Sequence, residues 1–194
     1  PPVVPVSKTV TINGDLILQG GDFGWYGGGG GGAQNVVVNG DIIVGPLSGI
    51  DVWSPNSSQS LSIGGSLINN TTGTQYSGSS FSRCNFTNIP LTFFGSNSAS
   101  VTNTSGTPVT TFSTVTINKG SSQATTLTID IGGTLNTPSN NWLTLQNGTL
   151  RYMRTNPPAG AHFRISQATP FNIPSTAGFY IDYANANNVN ILLG

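Results

Sequence analysis

A nine-residue motif that recurs along the chain constrains the fold more than any other feature. It occupies residues 10–18, 36–44 and 61–69, so the copies start 26 and then 25 residues apart. Each copy is a short aliphatic run, a corner of Asn-Gly-Asp or Gly-Gly-Ser, and a second short apolar run. Looser copies follow at residues 127–136 and 143–150. Repetition at this period is typical of a solenoid, in which each repeat forms one coil.

The composition favours strands over helices and excludes two classes of partner. Charged residues make up 6% of the chain, against roughly 25% in ordinary globular proteins. All six acidic residues are Asp. Ser, Thr, Asn and Gly make up the share of the composition that charged residues usually have. The formal net charge is zero, which provides no electrostatic footprint for nucleic acid or an anionic membrane. No apolar run reaches the roughly 18 residues that a membrane span requires, so we expect no membrane insertion.

The alternation of apolar and polar residues predicts a right-handed parallel β-helix with protruding loops. In such a solenoid aliphatic side chains point inward, while Thr, Ser and Asn face water and Gly, Asn or Asp make the corners. In the first coil we expect Val10, Ile12, Leu16 and Ile17 to point inward. The alternative is an antiparallel jelly roll or sandwich, because Asn-Gly-Asp between apolar runs is also a hairpin signal. The spacing of 25 and 26 residues fits one coil of three strands and favours the solenoid.

We predict one solenoid segment over residues 1–194, with a looser, loop-rich region at about 70–110. The aromatic residues of that region are expected to form a strand pair over one end or side of the core. No polar cap follows the last apolar strand at residues 189–194, and solenoid ends normally need one. We therefore expect a segment of a longer protein, or an end covered by an identical subunit stacked on it.

Several stretches resemble the β-helical repeats of very large cell-surface adhesins of Bacteroidota. The resemblance rests on residues 112–120, 127–136, 143–150 and 171–181. It implies a secreted, extracellular protein, exported by the type IX secretion system and serving in adhesion or gliding. The family has no catalytic motif to carry over. The resemblance therefore implies a structural, non-enzymatic segment of an adhesin or filament, a stiff rod that presents loops.

Two groups of residues are candidates for contact with glycans or protein partners. Arg151, Arg154, His162 and Arg164 contain three of the four arginines and the only histidine. Arginines on an outer face bind acidic groups well, although a solvated strand face would have the same composition. The second group comprises aromatic residues beside predicted loops, whose rings would suit sugar stacking but could equally pack in the core: Trp25, Tyr26 and Trp53. These residues support a carbohydrate-binding module as the alternative function.

We expect no cofactor and no catalytic centre. Asp15, Asp41 and Asp130 stand at comparable predicted corners, and stacked carboxylates could bind calcium. Each coil supplies only one carboxylate, so a turn-forming role is the better interpretation. The chain has no Ser-His-Asp order, no phosphate-binding loop and no carboxylate pair suited to glycoside hydrolysis. The expected partners are neighbouring coils, identical subunits and surface glycans.

Overall fold

The computed structural model describes residues 6–25, 32–52, 58–72, 84–103, 109–132, 134–138, 141–154, 163–165, 170–183 and 191–193. These residues form strands, turns and short connections, with no helix among them. The strands in chain order are β1 Lys8–Ile12, β2 Leu16–Leu18, β3 Gly21–Trp25, β4 Gln34–Val38, β5 Ile42–Val44, β6 Ser48–Val52, β7 Gln59–Ile63, β8 Leu67–Asn69, β9 Cys84–Asn85, β10 Leu91–Gly95, β11 Ala99–Asn103, β12 Val109–Thr111, β13 Val115–Lys119, β14 Thr126–Asp130, β15 Thr134–Asn136, β16 Leu143–Arg154, β17 Phe163–Ile165, β18 Ala177–Tyr183 and β19 Ile191–Leu193.

Three parallel sheets form the walls of a β-solenoid of about five turns. The first sheet stacks β1, β4, β7, β10, β13 and the start of β16. The second stacks β2, β5, β8, β11, β14, the end of β16 and β18, and the third stacks β3, β6, β9, β12 and β15. Every strand pair of the described residues is parallel, β17 with β19 included. The predicted β-helix is confirmed, and the antiparallel alternative is wrong.

The sequence repeat coincides with the register of the stack. Val10 pairs with Val36, and Val36 pairs with Leu61, so the three clear copies lie directly above one another. The looser copy at residues 143–150 keeps this phase, because Leu143 pairs with Val115 of the first sheet. The copy at residues 127–136 is displaced by one corner. It joins the second sheet to the third, since β14 pairs with β11 and β15 with β12.

Alternating side chains fill the interior. In β4 and β7 alternate residues are buried, among them Val36 and Leu61, and the residues between them, Val37 included, are half-buried. Val10 shares the row of the buried Val36 but is 55% exposed, because no described strand covers the other side of β1. The inward assignment of Ile17 is wrong: Ile17 is 52% exposed, whereas Leu16 and Leu18 on either side of it pack against the core.

The aromatic region is an ordinary coil of the stack, which corrects the expectation of a strand pair over the core. Leu91 and Phe93 of β10 are buried and pair in register with Leu61 and Ile63 of β7. Phe86 is fully buried, with its ring centroid 6.3 Å from that of Phe112. Within the region expected to be looser, residues 84–103 therefore contain the regular strands β9, β10 and β11.

The second sheet becomes wider after the third coil. In the second sheet β2, β5 and β8 are three residues long, whereas β11 and β14 are five. The corner between the first and second sheets keeps three residues at 64–66 and at 96–98, and it lengthens to six residues only at 120–125.

Candidate functional site

The corner between the first and second sheets holds a ladder of side chains that hydrogen-bond from coil to coil. The carboxylate of Asp15 accepts the backbone N–H of Asp41 at 2.8 Å, and Asp41 accepts that of Ser66 at 2.6 Å. The hydroxyl of Ser66 then accepts the N–H of Ser100 at 3.0 Å. Each of these side chains therefore fixes the backbone of the next coil. A charged acceptor makes such a hydrogen bond stronger than a neutral one.

The structure offers these carboxylates no metal-binding arrangement in the part of the chain it describes. There, no three His, Cys, Asp or Glu residues are grouped closely enough to hold a metal ion. Asp130 does not stand in the corner row, which corrects the comparison of this residue with Asp15 and Asp41. It ends β14 and pairs with Met153 of β16.

The ladder explains the glycine of the repeated corner. A Cβ at Gly65 would overlap the carboxylate of Asp41 and lie 2.8 Å from the carbonyl carbon and oxygen of Gly40. A Cβ at Gly40 would meet Asp15 and Gly14 in the same way. At Gly14, in the first coil, a Cβ would have no neighbour within 4 Å. Glycine is therefore required by close approach wherever an aspartate of the preceding coil reaches over the corner.

Neutral ladders run beside the charged one. The Asn39 amide donates to the Asn13 side-chain oxygen at 3.1 Å, and Asn147 donates to Asn118 at 2.8 Å. Such amide ladders satisfy polar groups along a stack of parallel strands without any charge. These two pairs connect neighbouring coils without adding charge.

The predicted basic cluster contributes one residue to a described surface site. Arg151 of β16 forms an ion pair with Asp182 of β18, and its guanidinium carbon lies 5.7 Å from the ring centroid of Tyr180. The side chains of Arg151 and Asp182 are 40% and 36% exposed, and Tyr180 is 54% exposed. At these exposures a ligand can reach the three side chains, and the ion pair itself stabilises the fold only weakly. We call Arg151, Tyr180 and Asp182 the arginine–tyrosine site.

Strand pairing gives the backbone positions of two other members of the basic cluster. Arg154 ends β16 and pairs with Tyr183, whereas Arg164 lies in β17 and pairs with Leu192 of β19, in a separate two-stranded sheet. His162 lies outside the described residues. Sequence reasoning missed Tyr180 and the pairing role of Asp182, because they stand 29 and 31 residues after Arg151 and only the strand register brings them together.

The predicted aromatic group has one described member, and it is buried. Trp25 is 3% exposed and meets Phe23 edge to face, with ring centroids 5.1 Å apart. It borders a cleft of about 280 Å³ in the first coil, next to Lys8 and Val10. A ring in this position cannot stack on a sugar unless it leaves the core. Tyr26 and Trp53 lie outside the described residues.

A buried lysine is the most unusual group that sequence reasoning missed. Lys119 is fully buried, and its ammonium donates to the carbonyls of Phe94 at 2.6 Å and Gly64 at 2.7 Å. Desolvation lowers the pKa of Lys119, while the nearby Asp41 carboxylate acts in the opposite direction. The Lys119 side chain thus connects the third and fourth coils, between which the second sheet widens. The flanking Asn118 and Gly120 resemble an ordinary solvated corner, so the sequence provides no signal for its burial.

Comparisons with models of protein families, with curated proteins and with solved structures found no match to this chain. None of the described residues belongs to a helix that is long and apolar enough to cross a membrane.

Proposed function

We propose that this chain is a structural, non-enzymatic segment of a secreted cell-surface adhesin or extracellular filament. Its function is to form a stiff rod that presents loops to the surroundings. The observation that carries the proposal is the register of the first sheet. From β1 to β13, equivalent residues pair without a shift, so the coils stack as one continuous column.

Stiffness follows from the way hydrogen bonds run along this column. In a parallel solenoid the backbone bonds point along the axis and connect each coil to the next. The side-chain ladders add axial bonds at the corner, such as those of Asp41 to Ser66 and Asn39 to Asn13. Bending or stretching the rod must break many of these bonds together.

An extracellular location is supported by the low charge and by the resemblance to surface adhesins. Export through the type IX secretion system is part of the same proposal. The first coil also favours contact with another coil of the same kind. Val6 and Val10 are 71% and 55% exposed, although Val10 stands in a row whose next member is buried. The partner is either a neighbouring coil of a longer polypeptide or an identical subunit.

Antibody labelling of intact source cells tests the location and role together. An antibody raised against the purified chain is expected to label the outer surface, and electron microscopy is expected to show the label on extended structures. Permeabilised cells provide the control for epitopes inside. Labelling that requires permeabilisation would contradict the proposal.

A second candidate function, binding of a carbohydrate, is favoured by the arginine–tyrosine site. An exposed aromatic ring beside a guanidinium and a carboxylate offers a stacking surface and hydrogen-bonding groups for a sugar. We expect Tyr180→Ala to lower glycan binding by about 10-fold, since losing one aromatic contact commonly costs on the order of 1.4 kcal/mol. Leu47→Ala is the matched control, because Leu47 is 60% exposed and belongs to the second coil.

A glycan array with the wild type and both variants measures this effect. Binding that survives Tyr180→Ala would remove the arginine–tyrosine site as the contact. If the wild type binds no glycan on the array, carbohydrate binding is excluded and the structural function is the one that remains.

A further inference from the structure

A straight row of hydroxyl groups runs along the outer side of the first sheet. Strand pairing aligns one residue from each coil in this row, which we call the hydroxyl row. Five of its six members carry a hydroxyl, and the last four follow one another without interruption. Every member is half-buried or exposed. In axial order the row is Thr11, Val37, Ser62, Thr92, Thr116 and Thr144.

The outer side of this sheet bears no charge in the described strands. The residues that flank the hydroxyl row are Thr, Ser, Asn, Gln and one Phe, as the alternating burial places them: Thr9, Asn35, Ser60, Phe94, Asn118 and Gln146. The second sheet differs, because its outer side carries Arg151 and Asp182. A surface without charge selects an uncharged partner, since a charged one would lose solvation without compensation.

The spacing of the hydroxyl row suits ordered water. Neighbouring strands lie about 4.8 Å apart, so equivalent hydroxyls repeat at that distance. A water molecule with hydrogen bonds of about 2.8 Å to two such oxygens subtends an angle of about 118°, close to the tetrahedral angle of about 109°. Water bridging of this kind is nearly as favourable as a direct hydrogen bond.

Threonine makes this arrangement rigid. Its branched Cβ restricts χ1, so the hydroxyl is held in place before any partner arrives. Little side-chain entropy is then lost when water or a water lattice binds. The in-register stack also fixes the position of each hydroxyl relative to the next one along the axis, because any shift between strands would break the row.

From the row, its spacing and the missing charge, we propose that the outer face of the first sheet binds the surface of ice. The bridging waters of the hydroxyl row join the lattice, and the methyl groups of Thr and Val37 fill the space between them. The proposal is independent of the adhesin function. Crystalline polysaccharide is the less suitable partner, because Phe94 is the one aromatic residue that the described strands place on this face.

Partition of the purified chain into a slowly growing ice crystal, together with measurement of thermal hysteresis, tests the proposal. We expect the wild type to enter the ice and Thr92→Tyr and Thr116→Tyr to be excluded, since a ring within the row would take the place of a hydroxyl and its bridging waters, whereas Phe94 lies beside the row. The matched control is Thr102→Tyr, which places the same substitution at a half-buried threonine of the second sheet. This control is expected to enter the ice like the wild type.

A second variant keeps the test decisive if a tyrosine prevents folding. Thr92→Val with Thr116→Val preserves shape and strand preference but removes two hydroxyls, so a partial loss of thermal hysteresis is expected. Circular dichroism confirms that each variant keeps its strands. Exclusion of the wild type from ice would overturn the proposal, as would equal partition of all variants. Binding to crystalline cellulose or chitin without ice binding would overturn it in favour of a glycan.

Discussion

Replacing Gly65 with alanine is expected to lower the free energy of unfolding by about 2–4 kcal/mol. The added Cβ would collide with the Asp41 carboxylate and with the Gly40 backbone, and neither can move freely inside the stack. Displacing Asp41 would also break its hydrogen bond to the N–H of Ser66. Urea denaturation followed by circular dichroism measures the loss.

Gly14 provides a control at the same position of the repeat. A Cβ there would have no neighbour within 4 Å, and Gly14 is not among the glycines with positive φ. Gly14→Ala is therefore expected to leave stability unchanged or to raise it by up to about 1 kcal/mol, through the unfolded chain. Equal effects of the two substitutions would show that the glycine serves the turn and not the close approach of the ladder.

Replacing Lys119 with alanine is expected to lower the free energy of unfolding by about 3–5 kcal/mol. The substitution removes a fully buried side chain and leaves a cavity at the level where the second sheet widens. It also leaves the carbonyls of Gly64 and Phe94 without their donor. Thermal and urea unfolding of the two proteins measure the change.

Lys119→Met separates the two contributions. Methionine keeps most of the apolar volume but donates no hydrogen bond, so a smaller loss of about 1–3 kcal/mol is expected. A methionine variant as stable as the wild type would mean that the ammonium contributes nothing beyond its volume.

The same pair of proteins has an expected pH dependence. Burial lowers the pKa of Lys119 below its ordinary value of 10.5. Between the folded and the unfolded pKa the native state binds fewer protons than the unfolded state, so stability rises with pH. The stability of the wild type relative to Lys119→Met should thus increase as the pH approaches 10.5 from below. A relative stability that falls over this range would contradict the assigned direction.

The repeat made the fold predictable, and its register was already visible in the alignment of residues 10–18, 36–44 and 61–69. The wrong predictions concern one side chain and one coil. Three apolar residues stand together at 16–18, and hydrophobicity alone cannot tell which of them face the core, so the inward prediction for Ile17 is wrong. The fourth coil does not resemble the repeat in sequence, because Phe93 and Phe94 replace the usual aliphatic and polar pair.

The candidate sites were less predictable, because their partners come from different coils. Arg151 was identified from composition, but its contacts with Tyr180 and Asp182 depend on the pairing of β16 with β18. Trp25 was identified as an aromatic beside a glycine-rich loop, yet it packs on Phe23 in the core. The hydroxyl row contains no local motif, since its members are separated by a whole coil.

The long strand β16 has a mechanical consequence. Its twelve residues pair first with β13 and then with β14, and it passes between the two sheets at Gly148, where φ is +83°. Two walls that are separate in the earlier coils thereby become one hydrogen-bonded unit. Tension applied to either sheet at this level is shared with the other, because β16 is hydrogen-bonded in both. We therefore expect the coils nearer to β1 to unfold one by one under force before β16 does.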